Sequence, residues 1–163
     1  MTIFNKRLSE YLAFCVPFLV LIGAMGVIRL ALTLGGLPNG TVKWFSINAV
    51  LWIGVLYYAV RVHTSGFGAY KQLVVIYALL NLVEQAVVIV GIVLAIITGT
   101  TNIFSTPEYS FGANPWVHLG AHLTIGVAAG TLMPWIIGSI VLAVTRRISP
   151  SVRESAVRVG QAG

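Results

Sequence analysis

Charged side chains are scarce in this chain: Asp, Glu, Lys and Arg make up 9% of its residues, against roughly 25% in soluble globular domains. So few charges cannot clothe a folded surface in water, which excludes an ordinary soluble domain. Cysteine is nearly absent. The one thiol, Cys15, lies inside an apolar run. Alone it makes no intramolecular disulfide, no multi-cysteine metal site and no Cys-x-x-Cys-His haem attachment, and it reads as a small buried hydrophobe. The sequence also lacks the apolar/polar alternation of a β-barrel and any repeat relating its two halves. No nucleotide-binding loop or nucleophile–base spacing is present.

What it has in quantity is apolar side chain, 58% of 163 residues. These residues gather into four stretches near 11–34, 42–62, 73–98 and 116–144. Each reaches the roughly 20 residues needed to cross a hydrocarbon core of about 30 Å. Only helices satisfy the backbone in lipid once a barrel is excluded. The expected fold is therefore all-α, a four-helix transmembrane bundle forming one domain. The first stretch is far longer than the roughly 7–15 apolar residues of a signal peptide, so it reads as a retained helix.

The net charge of +6 suggests nucleic acid only until its placement is considered. Lys6, Arg7, Arg61, Lys71, Arg146, Arg147, Arg153 and Arg158 flank the apolar runs or lie in the tail 145–163. No basic stripe with interleaved aromatics runs along one face, so no nucleic-acid partner is expected. The first loop holds Lys43 alone, and the loop from 99 to 115 has no Lys or Arg. Excess Lys and Arg mark cytoplasmic segments, which places both termini and the second loop inside. A bacterial inner membrane fits this pattern. Tyr11, Trp44, Tyr70 and Trp116 fall near helix ends, where amphipathic rings favour the interface.

The loop from 99 to 115 is long for a helix connection, which usually takes 2–8 residues. Its run from Asn102 to Phe111, including Glu108, mixes aromatics, polar groups and one acid. It reads as an ordered outer cap or a partner surface. Asn39-Gly40-Thr41 matches the glycosylation sequon, but too close to the membrane for modification.

A charge inside a span costs about 2.5–3.5 kcal/mol or more at its centre, so such residues point to function. Here they are Arg29 and Glu84. Arg29 lies roughly 8 Å below the outer surface, and Asn48 and His122 fall at about the same depth at 1.5 Å rise per residue. Three helices thus place a polar residue at one level. Glu84 comes out near the midplane, roughly 16 Å in, too deep for a direct pair with Arg29. A hydrogen bond to Asn48 or Tyr77 is its expected partner. Tyr77, Asn81, Glu84 and Gln85 share one face of the third helix, and that face must look into the bundle. Gly91, Ala95 and Gly99 continue it as a row of small residues that permits close helix approach.

His118 and His122 are four residues apart on one helix face, followed by Gly126, Gly130 and Pro134. The pair has the spacing to chelate a divalent metal, with Glu108 as an oxygen donor. The small residues behind it leave room for a quinone ring or for a haem or pigment on a single His. The plainer expectation is that His118 sits at the interface and that His122 bonds Asn48 or a backbone carbonyl. Four functions compete: a non-catalytic accessory or scaffold subunit of a larger membrane complex, with other subunits or a second copy as partner; a cofactor- or quinone-binding electron-transfer bundle using Arg29, Asn48, His122 and Glu84; a small proton-coupled transporter using Glu84; and a membrane-embedded enzyme, for which His118, His122 and Glu108 offer only metal-assisted hydrolysis. The accessory subunit is the first expectation, because no catalytic motif is present and small-residue packing rows are abundant.

Overall fold

The computed structural model describes residues 1–110, 112 and 114–149. Phe111 of the long loop, and Arg153 and Arg158 of the tail, lie outside the described residues. Strands β1 (Thr2–Ile3) and β2 (Lys6–Arg7) form a small antiparallel hairpin. Helix α1 (Leu8–Leu34) is followed by the short α2 (Asn39–Val42), then α3 (Ile47–Thr64) and α4 (Tyr70–Thr98). After the short α5 (Pro107–Ser110) comes α6 (Pro115–Ala121), which a π-helical turn at His122–Gly126 joins to α7 (Val127–Ile148). Four helical segments are long and apolar enough to cross a membrane: Leu8–Leu34, Asn39–Thr64, Tyr70–Thr98 and Pro115–Ile148.

These segments match the four apolar stretches, with ends displaced by a few residues. The largest displacements are at polar sequence, where hydropathy carries no signal. Helix α1 begins at Leu8, and α7 runs on through Arg146 and Arg147 to Ile148. The sequon forms α2, a single turn laid on the end of the bundle.

Going round the bundle the order is α1, α4, α7, α3, with α3 and α4 also touching across it. Tyrosine hydroxyls tie the spans together inside. Tyr58 donates to the Phe14 carbonyl at 3.1 Å and Tyr77 to the Val55 carbonyl at 2.8 Å. Trp135 Nε1 donates to the Tyr70 carbonyl at 3.0 Å. Cys15 is fully buried in the same core.

At the end carrying the chain terminus, the hairpin turns through Phe4 and Asn5, both at positive φ. The Tyr11 hydroxyl and the Gln72 amide hold it by donating to the Ile3 and Phe4 carbonyls. Phe67 stacks on Phe14 at 4.0 Å between centroids. Cations cover this aromatic floor: Lys6 lies over Phe67, Arg61 over Phe14 and Arg146 over Tyr70. The opposite, distal end is formed by residues 35–46 and 99–110.

The polar face of α4 packs on α7 through glycines. A methyl group at Gly126 would meet the Gln85 amide, one at Gly130 the Asn81 amide, and one at Gly138 the Tyr77 ring. Each absent side chain is the space a polar residue of α4 occupies. Overfilling a packed site costs typically about 1–3 kcal/mol. Gly130→Val is therefore expected to lower the thermal unfolding temperature in detergent, followed by circular dichroism. Gly120→Ala, where nothing stands within 4 Å of the added carbon, is expected to leave it unchanged.

Candidate functional site

A cavity of about 410 Å³ opens at the distal end, and all four spans contribute to its wall. Arg29 comes from α1, Ile47 and Asn48 from the first turn of α3, and Glu84 and Val88 from α4. His118 and His122 come from the fourth span, Lys43 and Ser46 from the segment before α3, and Ile103 and Phe104 from the long loop.

Local sequence explains several of these positions. Ser46 caps α3, its hydroxyl accepting from the Ala49 amide at 3.2 Å, which starts the helix with Ile47 and Asn48 at the cavity wall. Asn114 caps α6 by accepting from the Trp116 amide at 2.9 Å, with Pro115 at the first helical position. The long loop folds inward on Asn102, which is 2% exposed. Its side chain donates to the Gly91 carbonyl at 2.7 Å and accepts from the Phe104 amide at 2.9 Å. Phe104 then settles on Gly91, where any side chain would displace it. The Arg29 guanidinium lies 5.6 Å from the centre of the Phe104 ring. Ile103 and Phe104 thus form a partial roof over the cavity.

The sequence-derived layer of Arg29, Asn48 and His122 does meet at one cavity. Glu84 joins it although its estimated depth differs, because the cavity extends down the bundle along α4. The expected partners are changed. Tyr77 bonds the Val55 carbonyl, and His122 Nδ1 lies 2.7 Å from Gln85 Oε1. His118 is turned inward, 9% exposed, with its Nε2 3.1 Å from His122 Nε2. Glu108 is exposed and does not line the cavity. Among the described residues, no group of three His, Cys, Asp or Glu side chains is placed to hold a metal ion.

The hydrogen bonds behind the histidines have a fixed direction. Asn81 Nδ2 faces the Gly126 and Val127 carbonyls at 3.3 and 2.9 Å, and carbonyls only accept. The Gly126 carbonyl closes the π turn and the Val127 carbonyl opens α7, and the Asn81 amide meets both. Asn81 Oδ1 therefore accepts from Gln85 Nε2 at 3.1 Å, which turns Gln85 Oε1 toward His122. His122 must donate from Nδ1, leaving a lone pair on Nε2 when the ring is neutral. In the neutral pair, His118 supplies the proton between the two Nε2 atoms.

Sequence reasoning placed Asn81 and Gln85 on the inward face without seeing what they do. The signal was present: residues 81 and 85 repeat the four-residue spacing of Gly130 and Gly126 on the facing helix. Lys43 and Ser46 had no such signal, since their approach to the cavity depends on the fold of the 35–46 segment.

Nitrogen-15 spectra of the histidine-labelled protein are expected to show His122 protonated at Nδ1 and His118 at Nε2 in the neutral pair. Gln85→Leu is expected to abolish the His122 preference; an Nε2-protonated His122 in the unaltered protein contradicts the assignment. Compared with known proteins, the chain matches no family model, no curated protein and no solved structure.

Proposed function

We propose that this chain is an integral membrane bundle, with both termini on the cytoplasmic side, that binds a lipophilic molecule by its oxygen-bearing head. A quinone-like ring or a comparable carbonyl or acid group is the favoured class. The observation that carries this reading is the convergence of Arg29, Lys43, Asn48, Glu84, His118 and His122 on one partly roofed cavity.

Its volume falls within the roughly 300–1,000 Å³ of small-molecule sites, which combine apolar walls with a few convergent polar groups. Arg29, Lys43 and Asn48 offer N–H donors suited to carbonyl or acid oxygens. Ile47, Val88, Ile103 and Phe104 supply apolar contact for a ring. The outward side chains Val16, Val20, Val27, Val90, Ile97, Ile136 and Ile140 are all exposed apolar groups. Lipid would cover them, and so would the subunits of a larger complex. That surface supports membrane residence without favouring an accessory role. The cationic cover at the terminal end supports the cytoplasmic placement, because basic residues collect on that side.

The test is titration of the purified protein in lipid nanodiscs with a short-tailed ubiquinone analogue, read by tryptophan quenching. Trp44 adjoins the cavity residue Lys43. Saturable binding near one molecule per chain is expected, weakened at least about 10-fold in Arg29→Gln and in Asn48→Ala, the loss of roughly one 1.4 kcal/mol interaction. Unchanged binding in both folded variants rejects the site. Native mass spectrometry of mildly extracted protein separates the alternatives: a stoichiometric small molecule supports ligand binding, and other chains without one support the accessory subunit.

A further inference from the structure

We propose that His118 and His122 form a two-nitrogen chelate for a divalent zinc- or copper-class ion on the cavity wall. The two Nε2 atoms face each other at 3.1 Å. Metal–nitrogen bonds of roughly 2.0–2.1 Å place cis ligands about 2.9 Å apart in a square plane and about 3.4 Å apart in a tetrahedron. The pair stands between these separations before any ion arrives.

The second nitrogen of His122 is anchored as a metal ligand's should be. A ligating imidazole usually donates its remaining N–H to a carbonyl or carboxylate, which fixes its tautomer and aims its lone pair. His122 Nδ1 has Gln85 Oε1 at 2.7 Å, Gln85 is held by Asn81, and Asn81 by the Gly126 and Val127 carbonyls. That chain leaves His122 Nε2 as a lone pair aimed at His118. His118 needs only to move its proton to Nδ1 to present a second lone pair. The ion binds both lone pairs from beside the line joining the two nitrogens, and the neutral pair keeps both its protons, one on each Nδ1.

Two imidazoles do not complete a coordination shell. The described residues hold no three-ligand cluster, so the remaining positions belong to oxygens within the cavity. Glu84 lines the same cavity, but its carboxylate does not complete a three-ligand group with the two imidazoles. Arg29 and Lys43 line the same cavity and repel a bare cation, so the ion is held with water and a small anion from solution. Imidazole suits zinc, copper, iron and nickel, with Cu²⁺ the tightest divalent ion in the series. The site is independent of whether the cavity takes a quinone.

The plain alternative is a hydrogen bond between the rings and nothing more. Titration of chelator-treated protein in nanodiscs with Cu²⁺ alone separates the two. One ion per chain is expected, with electron paramagnetic resonance showing splitting from two ring nitrogens. His118→Gln and His122→Gln are each expected to lose the stoichiometric site. His63→Gln, whose ring bonds the Ser149 carbonyl at the other end of α3, is expected to keep it. Gln85→Leu should retain the two-nitrogen signal while weakening binding about 10–100-fold, as loss of an outer-shell partner does.

A measurement on the unaltered chain guards against misfolded variants. Zn²⁺ is expected to protect His118 and His122, but not His63, from diethylpyrocarbonate, as located by peptide mass spectrometry. Absence of equimolar Cu²⁺ binding overturns the proposal, as does a site surviving both substitutions or equal modification with and without Zn²⁺. Quinone quenching is read separately, so copper binding without quinone binding rejects the ligand reading alone, and the reverse rejects only the chelate.

Discussion

The structure depends on how three polar side chains of α4 are buried between apolar helices. An amide taken out of water without a partner costs about 1–3 kcal/mol in proteins and more in a purely apolar medium. Asn81 and Gln85 meet that constraint by bonding each other, the Gly126 and Val127 carbonyls and His122. Tyr77 meets it at the Val55 carbonyl. All three pack against the fourth span, and Gly126, Gly130 and Gly138 leave the space they occupy. Polar row and glycine row are one device. It fixes which face of α7 meets α4, and thereby where His118 and His122 stand.

The cavity follows from the same arrangement. At the level of Asn81, α4 and the fourth span are in contact; further toward the distal end, Glu84, Val88, His118 and His122 face open volume. Ile103 and Phe104 of the long loop complete the cavity wall. Asn102 reaches the Gly91 carbonyl, and the missing side chain at Gly91 admits Phe104. Removing bulk at one α4 position thus seats the loop, while the polar groups two turns lower organise the ligand-facing imidazoles.

Much of this was legible in the sequence, for reasons specific to lipid-facing chains. Four long apolar runs in a chain with few charges leave little choice of secondary structure. Polar residues such as Arg29, Asn48, Glu84 and His122 stand out against an apolar background, and rise per residue gave the depth at which three of them converge. What escaped was whatever depends on a partner from another segment. Helical spacing shows that Gln85 faces inward, but not that its carbonyl meets His122. The β1–β2 hairpin has strands of two residues each, too short for any periodic signal. Glu108 looked like a ligand by composition; its side chain points away because the loop is pinned at Asn102 rather than near the acid. Nor does composition show that Phe104 of the long loop inserts against Gly91.

The π turn at His122–Gly126 carries a consequence for chain length. Five residues there span a stretch that regular helix would cover with about four. Winding the same five residues as ordinary helix would rotate everything beyond them by about 100° relative to His118, since each residue advances a helix by that angle. Gly130 and Gly138 would swing away from Asn81 and Tyr77, and bulkier neighbours would meet them instead. The fourth span therefore behaves like two gears on one shaft: the histidines engage the cavity and the glycines engage α4 only while the extra residue is taken up by the π turn.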